Sequence, residues 1–489
     1  MRTMVGPRAP GIRLDPMASD LTVIVLAAGG GTRMKSKTAK VLHEIGGRSM
    51  VGHVLAAVEA LEPRRVVAVV GHQRDQVGPH IQALLPDVVL AIQDDQQGTG
   101  HAVRIALEAA GTTSGTVLVA AGDTPLLRGE SLRAFAQEHE AAQCALSVLS
   151  GVVDDPFGYG RIVRNDEGDV EAIVEEKDAT ADQRGIHEIS SGILAFDAEF
   201  LGEALPRLGN DNAKGEYYLT DTVGLARDAG LTVGAFPIDD WKQTEGANDR
   251  VQLADLGREL NRRIVEQWMR DGVTVMDPQT TWVEADVKLA PDVILLPNTQ
   301  LLGATVVGED AVIGPDTSLK DCEVGVGARV VRAHGELAVI GDGARVGPFA
   351  YLRPGTELGS GGKIGAFVET KNSQIRAGAK VPHLSYVGDA DIGEGSNIGA
   401  GTIFANYDGA HKHHTTVGKG AKTGANNTFV APVTIGDGAM TGGGTVVRRD
   451  VPPGSLAVSG GPQRNLDRRT PRGSDAASMG DSTEDEGES

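Results

Sequence analysis

Hydrophobic residues follow different patterns in the two halves of the chain. From Leu21 to about Pro237, apolar β-branched runs such as LTVIVLAA, RRVVAVVG and TVLVAAGD alternate with helical stretches such as MVGHVLAAVEAL and HAVRIALEAA. Continuous apolar strands separated by helices are typical of a mostly parallel sheet covered on both faces. The pattern predicts an α/β domain, and near-helical apolar spacing over residues 248–269 predicts a helical arm after it.

The second half repeats every six residues. Four series share this spacing: Val306, Val312, Ser318, Val324 and Val330; Ile340, Val346, Leu352, Leu358 and Ile364; Tyr386, Ile392, Ile398 and Phe404; and Val417, Thr423, Phe429, Ile435, Thr441 and Val447. One inward residue in six, with small residues at the corners, is typical of a parallel β-helix. Breaks in the frame at HGELAVIG, ETKNSQ and NYDGAHKHHT predict loops that leave the coil, where functional residues commonly lie.

Composition agrees with this division. Of the 489 residues, 66 are glycine and only 4% are aromatic, as expected when a large region is built from glycine and small aliphatic residues. This length suggests about three domains. We predict an N-terminal extension without a fold, an α/β domain, a helical linker, a β-helix and a disordered acidic tail, over residues 1–18, 19–246, 247–271, 272–462 and 463–489 respectively.

Charge, cysteines and hydropathy exclude several classes of protein. The net charge of -20 opposes nonspecific binding to nucleic acid or acidic lipid. Cys144 and Cys322 are too far apart in sequence for a disulfide framework or a CxxC motif. There is no run of about 20 apolar residues, and the N-terminus lacks the apolar stretch of a secretory signal. We therefore expect a cytoplasmic protein with no membrane span and no nucleic-acid partner.

A glycine-rich turn after the first strand is the first candidate site. Gly29 to Gly31 precede Thr32 and Arg33, which places bare backbone amides and one guanidinium at the end of a strand. Such a turn can bind phosphates. It lacks the Lys-Ser/Thr ending of a Walker loop, and Met34 stands at the third glycine of a dinucleotide fingerprint, so neither familiar motif is satisfied.

Polar residues further along the chain strengthen this interpretation. They are Lys40 in TAKVLHEIGG, then Gln93, Gln96, Gly98 and Thr99 in QDDQQGTGHA, and Asp123 at the end of TVLVAAGD. A carboxylate at the carboxyl end of a strand lies where open α/β sheets bind ligands, and it offers the oxygen that Mg²⁺ prefers. The pattern therefore indicates nucleotide chemistry at this edge of the sheet.

Eight motifs in order carry a family resemblance. LAAGGGTRM, KVLH, QGTGHA, GDTPLL, FGYGRIV, IVEEKDAT, KGEYYLTD and EGANDRVQL resemble those of the sugar-1-phosphate nucleotidyltransferases, particularly the bacterial bifunctional N-acetylglucosamine-1-phosphate uridylyltransferases/glucosamine-1-phosphate acetyltransferases. The match covers about residues 20–465. It implies a Rossmann-like nucleotidyltransferase domain, a left-handed parallel β-helix of hexapeptide repeats, and a homotrimer with sites between neighbouring subunits.

The resemblance also implies the residues for uridylyl transfer. Leu26, Ala27, Ala28, Gly29, Gln93, Gly98, Thr99 and Gly122 would hold the uracil nucleotide, Gly160, Glu175 and Ser190 the acetylated sugar, Asp123 and Asn248 the Mg²⁺ ion, and Arg33 and Lys40 the triphosphate. In this reaction the sugar phosphate attacks the α-phosphorus of UTP in line and expels pyrophosphate. Catalysis then rests on positioning and charge neutralisation, and no protein nucleophile is needed.

His383 in VPHLSYVGD is the candidate base of a second reaction. Acetyl transfer from a thioester to an amino sugar needs a base for the amine proton and donors for the oxyanion. The segments FAYLRPG, FVETKN and GSNIGAGTIFANYDG resemble the acetyltransferase half of the same family. The resemblance implies that Glu369 and Asn406 orient His383, that Arg353, Lys371, Tyr386 and Asn397 bind glucosamine 1-phosphate, and that acetyl-CoA lies along Ala400, Asn406, Tyr407, Lys412 and Gly443.

The chain departs from the family pattern at five positions, which are Gly30, Ala39, Ser190, Ala425 and Gly460. Ser190 is shorter than the usual Asn, and Ala425 lacks the usual serine hydroxyl. We therefore expect weaker sugar contacts and slower acetyl transfer. The HKHH segment lacks paired cysteine or carboxylate ligands, so we predict no metal there.

The predicted function is the synthesis of UDP-N-acetylglucosamine for peptidoglycan and other envelope polysaccharides. Acetyl-CoA would acetylate glucosamine 1-phosphate, and Mg²⁺-dependent uridylyl transfer from UTP would follow. Two alternatives stay open. One is a monofunctional nucleotidyltransferase whose β-helix only assembles the oligomer, which Ala425 supports. The other is a nucleotide-sugar-sensing scaffold without turnover, which the presence of Arg33, Lys40, Asp123 and His383 disfavours.

Overall fold

The computed structural model describes residues 20–112 and 114–461. Its contacts divide the chain into two compact units, with the boundary between Gly343 and Ala344. This boundary falls inside the segment predicted to be the β-helix, and the predicted domain limits stay predictions. The predicted N-terminal extension and acidic tail lie outside the described residues. None of the described helices has the length and apolar character needed to cross a membrane.

The first unit begins with an α/β region. Its strands are β1 (Leu21–Leu26), β2 (Glu44–Ile45), β3 (Arg48–Ser49), β4 (Arg65–Val70), β5 (Val89–Ile92), β6 (Thr116–Ala121), β7 (Leu146–Val152), β8 (Gly160–Arg164), β9 (Val170–Val174), β10 (Glu188–Asp197) and β11 (Val233–Pro237). Its helices are α1 (Met50–Glu59), α2 (Arg74–Leu84), α3 (Thr99–Ala110), α4 (Gly129–Ala141), α5 (Ala181–Arg184), α6 (Ala198–Ala204) and α7 (Thr222–Asp228). The strands and helices expected from the apolar runs are confirmed.

The main sheet has nine strands and two buried faces. Its order is β11-β7-β10-β6-β1-β4-β5, with β8 and β9 joined to β10. Strand β1 pairs in parallel with β4 and β6, and β10 runs antiparallel to β6. Alternate residues of one strand enter different cores: Ile24 packs on one face, and Val23 and Val25 pack on the other. This two-sided burial is why the central strands are continuously apolar.

The predicted helical arm forms as α8 (Arg250–Arg270), and Asp249 caps it by accepting from the backbone amides of Val251 and Gln252. Short parallel strands follow in the same unit. They are β12 (Thr274–Val275), β13 (Trp282–Val283), β14 (Lys288–Leu289), β15 (Ile294–Leu295), β16 (Thr299–Leu302), β17 (Val306–Val307), β18 (Val312–Ile313), β19 (Thr317–Lys320), β20 (Glu323–Val324), β21 (Arg329–Val330), β22 (Ala333–Glu336) and β23 (Val339–Ile340).

The second unit consists of further short strands, which pair in parallel from one coil to the next. The strands are β24 (Arg345–Val346), β25 (Ala350–Leu352), β26 (Thr356–Leu358), β27 (Lys363–Ala366), β28 (Glu369–Ile375), β29 (Lys380–His383), β30 (Tyr386–Ile392), β31 (Ile403–Ala405), β32 (Thr415–Val417), β33 (Thr428–Val430), β34 (Val433–Ile435), β35 (Met440–Thr441), β36 (Val446–Val447) and β37 (Leu456–Ala457). In both units, ladder partners lie one coil apart, as in the pairs Lys288 with Val306 and Tyr351 with Glu369. This is a hexapeptide-repeat β-helix, as predicted.

The predicted inward frame is wrong at its start. Val306 is 42% exposed, whereas Val307 is buried, and Ile313 and Leu319 are likewise the inward residues of their strands. Strands β17 and β18 each consist of two aliphatic residues, so hydrophobicity alone does not show which one points inward. From Val324 onward the predicted frame is correct, except that Val387 rather than Tyr386 is fully buried.

Two of the three predicted loops are also wrong. ETKNSQ lies within strand β28, and the start of HGELAVIG lies in β22. A regular coil has 18 residues, as between Tyr351 and Glu369. The coil from Glu323 to Val339 is two residues shorter, and the coil from Glu369 to Tyr386 is one residue shorter. A shortened coil shifts the six-residue frame without leaving the wall. Only NYDGAHKHHT contains an excursion, because Ile403 pairs with Thr428, more than a coil further on.

Candidate active sites

The glycine-rich turn sits between the carboxyl ends of three neighbouring strands. The backbone amide of Ala27 donates to Val69 of β4, and the amide of Gly122, after β6, donates to Leu26 of β1. Gly31 adopts a φ of 53°, and a Cβ at this position would collide with the side chain of Lys40. Lys40 thus passes closely over the turn, which requires glycine there.

Lys40 joins two residues from distant parts of the chain. Its ammonium Nζ lies 2.5 Å from Oδ2 of Asp123 and donates to Oδ1 of Asn248 at 2.8 Å. Gly246 lies against the Asp123 carboxylate, so that a Cβ would come within 2.9 Å of it. The predicted triphosphate ligand and both predicted metal ligands therefore meet at one point, and two oxygens converge on one cation.

Arg33 stands apart from this group. It lies in a single turn of 3₁₀ helix, Thr32–Met34, which the buried side chain of Met34 anchors. The Arg33 side chain is exposed, and no ion pair joins it to another residue in the described part of the chain. The structure therefore places an exposed guanidinium beside the turn, and its predicted role on the triphosphate stays a prediction.

The residues predicted for the uracil nucleotide are linked by hydrogen bonds. The buried amide Nε2 of Gln93 donates to the carbonyl of Gly98 at 3.1 Å, and the amide of Gln96 donates to Ala28. Gly98, the N-cap residue of α3, has a φ of 107°, and Thr99 Oγ1 accepts from the backbone amide of Leu219. The hydrogen bond from Gln96 to Ala28 thus joins the QDDQQGTGHA segment to the turn.

The predicted sugar residues also come together. Ser190 of β10 pairs directly with Gly160 of β8, and a Cβ on Gly160 would lie 3.6 Å from Oε1 of Glu175. Thr220 Oγ1 donates to Glu175 at 3.3 Å. Burial raises the pKa of Glu175, although Lys214 and the hydrogen bond from Thr220 oppose this. A half-buried acceptor next to bare backbone is suited to sugar hydroxyl groups.

The second site is built on neighbouring coils of the second unit. Glu369 of β28 lies beside Tyr386 of β30 in the ladder, and Lys371 lies beside Gly388. Glu369 accepts from Nη1 of Arg353 at 2.9 Å, although both side chains are partly exposed. The ladder therefore gathers the cations and the tyrosine that were predicted to bind the sugar phosphate onto one face.

Asp389 is a polar residue that sequence reasoning missed. It accepts from the side-chain amides of Asn372 at 2.7 Å and Asn406 at 2.5 Å. Burial favours the neutral acid, but these hydrogen bonds and the charges of Lys371 and Lys412 together lower the pKa of Asp389. Contact with the Lys412 side chain in turn lowers the pKa of Lys371. Two adjacent ammonium groups are suited to bind an anion.

His383 begins a column of corner residues on successive coils. Its carbonyl accepts from the amide of Gly401, the carbonyl of Ala400 accepts from Asn426, and that of Ala425 accepts from Gly444. Ala400, Ala425 and Gly443 thus follow one another along the wall, in the direction predicted for acetyl-CoA. The side chain of Tyr407, at the start of the excursion, is 61% exposed.

The structure does not bring every predicted pair together. The side chains of Glu369 and Asn406 hydrogen-bond to Arg353 and Asp389, so neither is seen to orient His383, which is exposed. Asn397 joins the ladder through its backbone. In the HKHH segment, His413 pairs with Asp408 and His414 pairs with Asp391. Within residues 20–112 and 114–461, no group of three or more His, Cys, Asp or Glu side chains is arranged for a metal ion.

Asp389 and Thr220 gave no signal in the sequence. Asp389 occupies a left-handed corner with a φ of 51°, and aspartate is common at such turns for purely local reasons. Thr220 lies in KGEYYLTD, a motif that carried the resemblance, but no chemical pattern singled it out. Their partners become visible only when the strands are placed side by side.

Two family models match parts of the chain. The MobA-like NTP transferase domain matches residues 23–181, and the bacterial transferase hexapeptide model, which describes six repeats, matches residues 337–372. The first match covers the turn, Lys40, Asp123, Gly160 and Glu175. The second covers Arg353, Glu369 and Lys371 of the coil. Each match therefore includes part of one candidate site.

Curated relatives match nearly the whole chain. The bifunctional protein GlmU of Pseudarthrobacter chlorophenolicus is 56% identical over 452 residues, which are 92% of each chain. The protein of the same name from Paenarthrobacter aurescens is 57% identical over 91% of this chain and 90% of its own, and that from Corynebacterium aurimucosum is 52% identical over 92% and 93%. The chain therefore belongs to the GlmU family of bifunctional enzymes, which make UDP-N-acetylglucosamine through glucosamine-1-phosphate acetyltransferase and uridylyltransferase activities.

Proposed function

We propose that the chain acetylates glucosamine 1-phosphate on the coils of the second unit and uridylylates the product at the edge of the nine-stranded sheet in the first. The convergence of Lys40, Asp123 and Asn248 carries the assignment of the second step. The column that begins at His383 supports the assignment of the first. Each group of residues lies within a single unit, so each reaction has its own site.

At the sheet edge, this chain's residues bind and orient two anionic substrates. The turn at Leu26–Gly29 and the amides near Gly98 hold the nucleotide, while Gly160, Glu175 and Ser190 hold the acetylated sugar. A phosphate oxygen of the sugar attacks the α-phosphorus of UTP, and the bond to the β-phosphate oxygen breaks to release pyrophosphate. Lys40 and Arg33 offset the charge that develops on the oxygens.

The residues at this edge fit a divalent metal ion. Nucleotide transfer of this kind generally uses one, and we infer Mg²⁺ held by Asp123 and Asn248. Both oxygens already converge on a single cation, the Lys40 ammonium, and hard oxygen ligands suit Mg²⁺. When bound, the ion would neutralise phosphate charge. Lys40 would then turn from these two oxygens to the triphosphate.

On the coil, His383 accepts a proton from the sugar amine. The amine nitrogen attacks the thioester carbonyl carbon, the new carbon–nitrogen bond forms, and the tetrahedral intermediate expels the coenzyme A thiolate, which takes up a proton. Arg353, Lys371, Tyr386 and Asn397 bind the sugar phosphate. Acetyl-CoA lies along Ala400, Asn406, Tyr407, Lys412 and Gly443.

The surface around His383 also supports a homotrimer. Next to it, Leu384 is 61% exposed, and Phe367 on the preceding coil is 60% exposed and stacks on Phe349 at 5.2 Å. Exposed apolar side chains next to a functional residue favour contact with another subunit. The molar mass in solution, measured by light scattering, is expected to be three times that of the 50.9 kDa chain. A monomer would contradict this proposal.

A split assay on the purified chain tests the two activities separately. Acetyl transfer is measured as free thiol released from acetyl-CoA with glucosamine 1-phosphate. Uridylyl transfer is measured as pyrophosphate released from UTP with N-acetylglucosamine 1-phosphate and Mg²⁺. We expect both signals. Pyrophosphate alone would reduce the β-helix to a scaffold and would identify Ala425 as a damaging departure. Neither signal would favour a sensing protein without turnover.

A further inference from the structure

The segment that leads to Lys40 is a short exposed loop with buried ends. Met34 before it and Ala39 at its end are 1% and 4% exposed, whereas Lys35, Lys37 and Thr38 are exposed. Lys40 follows Ala39 directly. The path of this loop therefore sets the position of the Lys40 backbone and, through it, the reach of the ammonium.

Two glutamines of a neighbouring helix hold the loop. Gln73 Nε2 donates to the carbonyl of Lys37 at 3.0 Å, and Gln76 Nε2 donates to the same carbonyl at 3.2 Å. The backbone amide of Ala39 donates to Oε1 of Gln76 at 3.4 Å. Gln76 thus uses both ends of its side-chain amide on the loop, at the residue before Lys40 and at the residue two positions earlier.

The helix that carries these glutamines is itself fixed. Gln73 is the N-cap of α2, and Val77 and Ile81 of that helix pack into the core beneath the sheet. Because the helix is fixed and Gln76 contacts the loop at both Lys37 and Ala39, the helix determines where the loop lies. On the other side, Gly31 leaves only enough room for the Lys40 side chain to pass.

We propose that Gln76, assisted by Gln73, is a positioning residue for uridylyl transfer: it holds the Lys35–Ala39 loop so that Lys40 reaches the triphosphate. The inference rests on the proposed function of Lys40. Gln76 itself does not touch the reacting atoms. Without Gln76 the groups that act on the triphosphate are still present. The loop must then be ordered when UTP binds, and this entropy cost weakens UTP binding.

The backbone of Ala39 supplies a test by rescue. Its φ of −57° and ψ of 142° suit proline, which has no amide hydrogen to donate and which restricts the loop by itself. In a Gln76→Ala background, the proline ring takes up space that the Gln76 oxygen has left. The double variant Gln76→Ala/Ala39→Pro should therefore order the loop without the glutamine.

The experiment measures the two reactions of the full chain separately in three variants. Gln76→Ala should raise KM for UTP about threefold to tenfold with a smaller change in kcat, as expected for the loss of one exposed and one partly buried hydrogen bond. Thiol release from acetyl-CoA should stay unchanged. The double variant with Ala39→Pro should recover most of the KM. Gln82→Ala is the matched control, since Gln82 is exposed on the same helix and its side chain has no hydrogen bond to another described residue.

Three results would count against the inference. If Gln76→Ala behaves like Gln82→Ala, Gln76 does not position the loop. If the double variant is folded, as its melting temperature shows, but KM stays high, loop order is not what Gln76 supplies. If the unchanged chain releases no pyrophosphate, the proposed function of Lys40 falls, and this inference falls with it. Normal uridylyl transfer in Gln76→Ala overturns the inference alone.

Discussion

The site at the sheet edge and the site on the coils are assembled in different ways. At the sheet edge, Lys40 and Asn248 are 208 residues apart in sequence and share a hydrogen bond. On the coils, the contacts join residues one coil apart, such as Arg353 with Glu369 and Asp389 with Asn406. The first site is formed by residues from segments that are distant in sequence. The second is an array on a wall, with His383 exposed.

The difference follows from the two architectures. Parallel strands of one sheet end at the same edge, so the loops after β1, β4 and β6 converge and place polar side chains from distant segments in contact. A β-helix instead adds one coil to the next, and its side chains line up on an open surface. A wall offers one side of a pocket, so the coil site needs a second surface, which a neighbouring subunit would supply in the proposed trimer.

The largest expected effect tests whether the two sites are separate. His383→Ala removes the proposed base and should lower thiol release from acetyl-CoA by about 10² to 10⁴. Pyrophosphate release should stay unchanged, because His383 lies in the second unit and the sheet edge lies in the first. His334→Ala, on a coil of the first unit, serves as the control. Equal loss of both activities would contradict two sites.

Lys40→Met should separate binding of the metal from catalysis at the sheet edge. Loss of one positioned cation is expected to lower uridylyl transfer by about 10² to 10³. Binding of Mn²⁺ without UTP, followed by electron paramagnetic resonance, should become several times tighter, because the ammonium no longer competes for Asp123 and Asn248. Lys37→Met, in the same loop, is the control. Weaker Mn²⁺ binding in Lys40→Met would show that the two oxygens are not metal ligands.

Gly31→Ala tests how tightly Lys40 is confined. The new methyl would meet the Lys40 side chain at a φ of 53°, where residues other than glycine are strained. We expect about a tenfold fall in kcat/KM for UTP, with acetyl transfer unchanged. Gly111→Ala has a similar φ of 62° and open space around its Cβ, so it reports the backbone strain alone. The same loss in both variants would show that contact with Lys40 is unimportant.

The smallest effect concerns pH at the coil site. The contact with Lys412 lowers the pKa of Lys371, so Lys371 loses its charge at lower pH than an ordinary lysine. Affinity for N-acetylglucosamine 1-phosphate, which has no titrating amine, should fall about twofold as pH rises toward the alkaline range. Calorimetric titration at several pH values measures it. Lys412→Met should move the fall to higher pH, and an unmoved profile would exclude Lys371 as the phosphate ligand.

Sequence patterns predicted the elements better than the contacts. Strands β1, β4 and β6 were identifiable because burial on both faces makes them continuously apolar, and α8 was identifiable from its apolar spacing. The inward frame failed at Val306 because Val307 is equally hydrophobic. Asp123 was expected from its place at a strand end, whereas Asn248 entered only through the resemblance.

By itself the sequence determined the two architectures and most of the chemical groups at each site. The α/β alternation, the six-residue period, the glycine-rich turn and His383 are all visible in the order of residues, because they depend on local periodicity and residue type. Only the tertiary structure decided that the Lys40 ammonium contacts both Asp123 and Asn248. The same is true of the hydrogen bond that Asp389 accepts from the side-chain amide of Asn406, and of the contact between Gln76 and the loop before Lys40. These contacts depend on how distant segments are brought together. A hydrogen bond forms only when two atoms lie within about 3 Å, and the sequence separation of two residues does not show whether their atoms come that close.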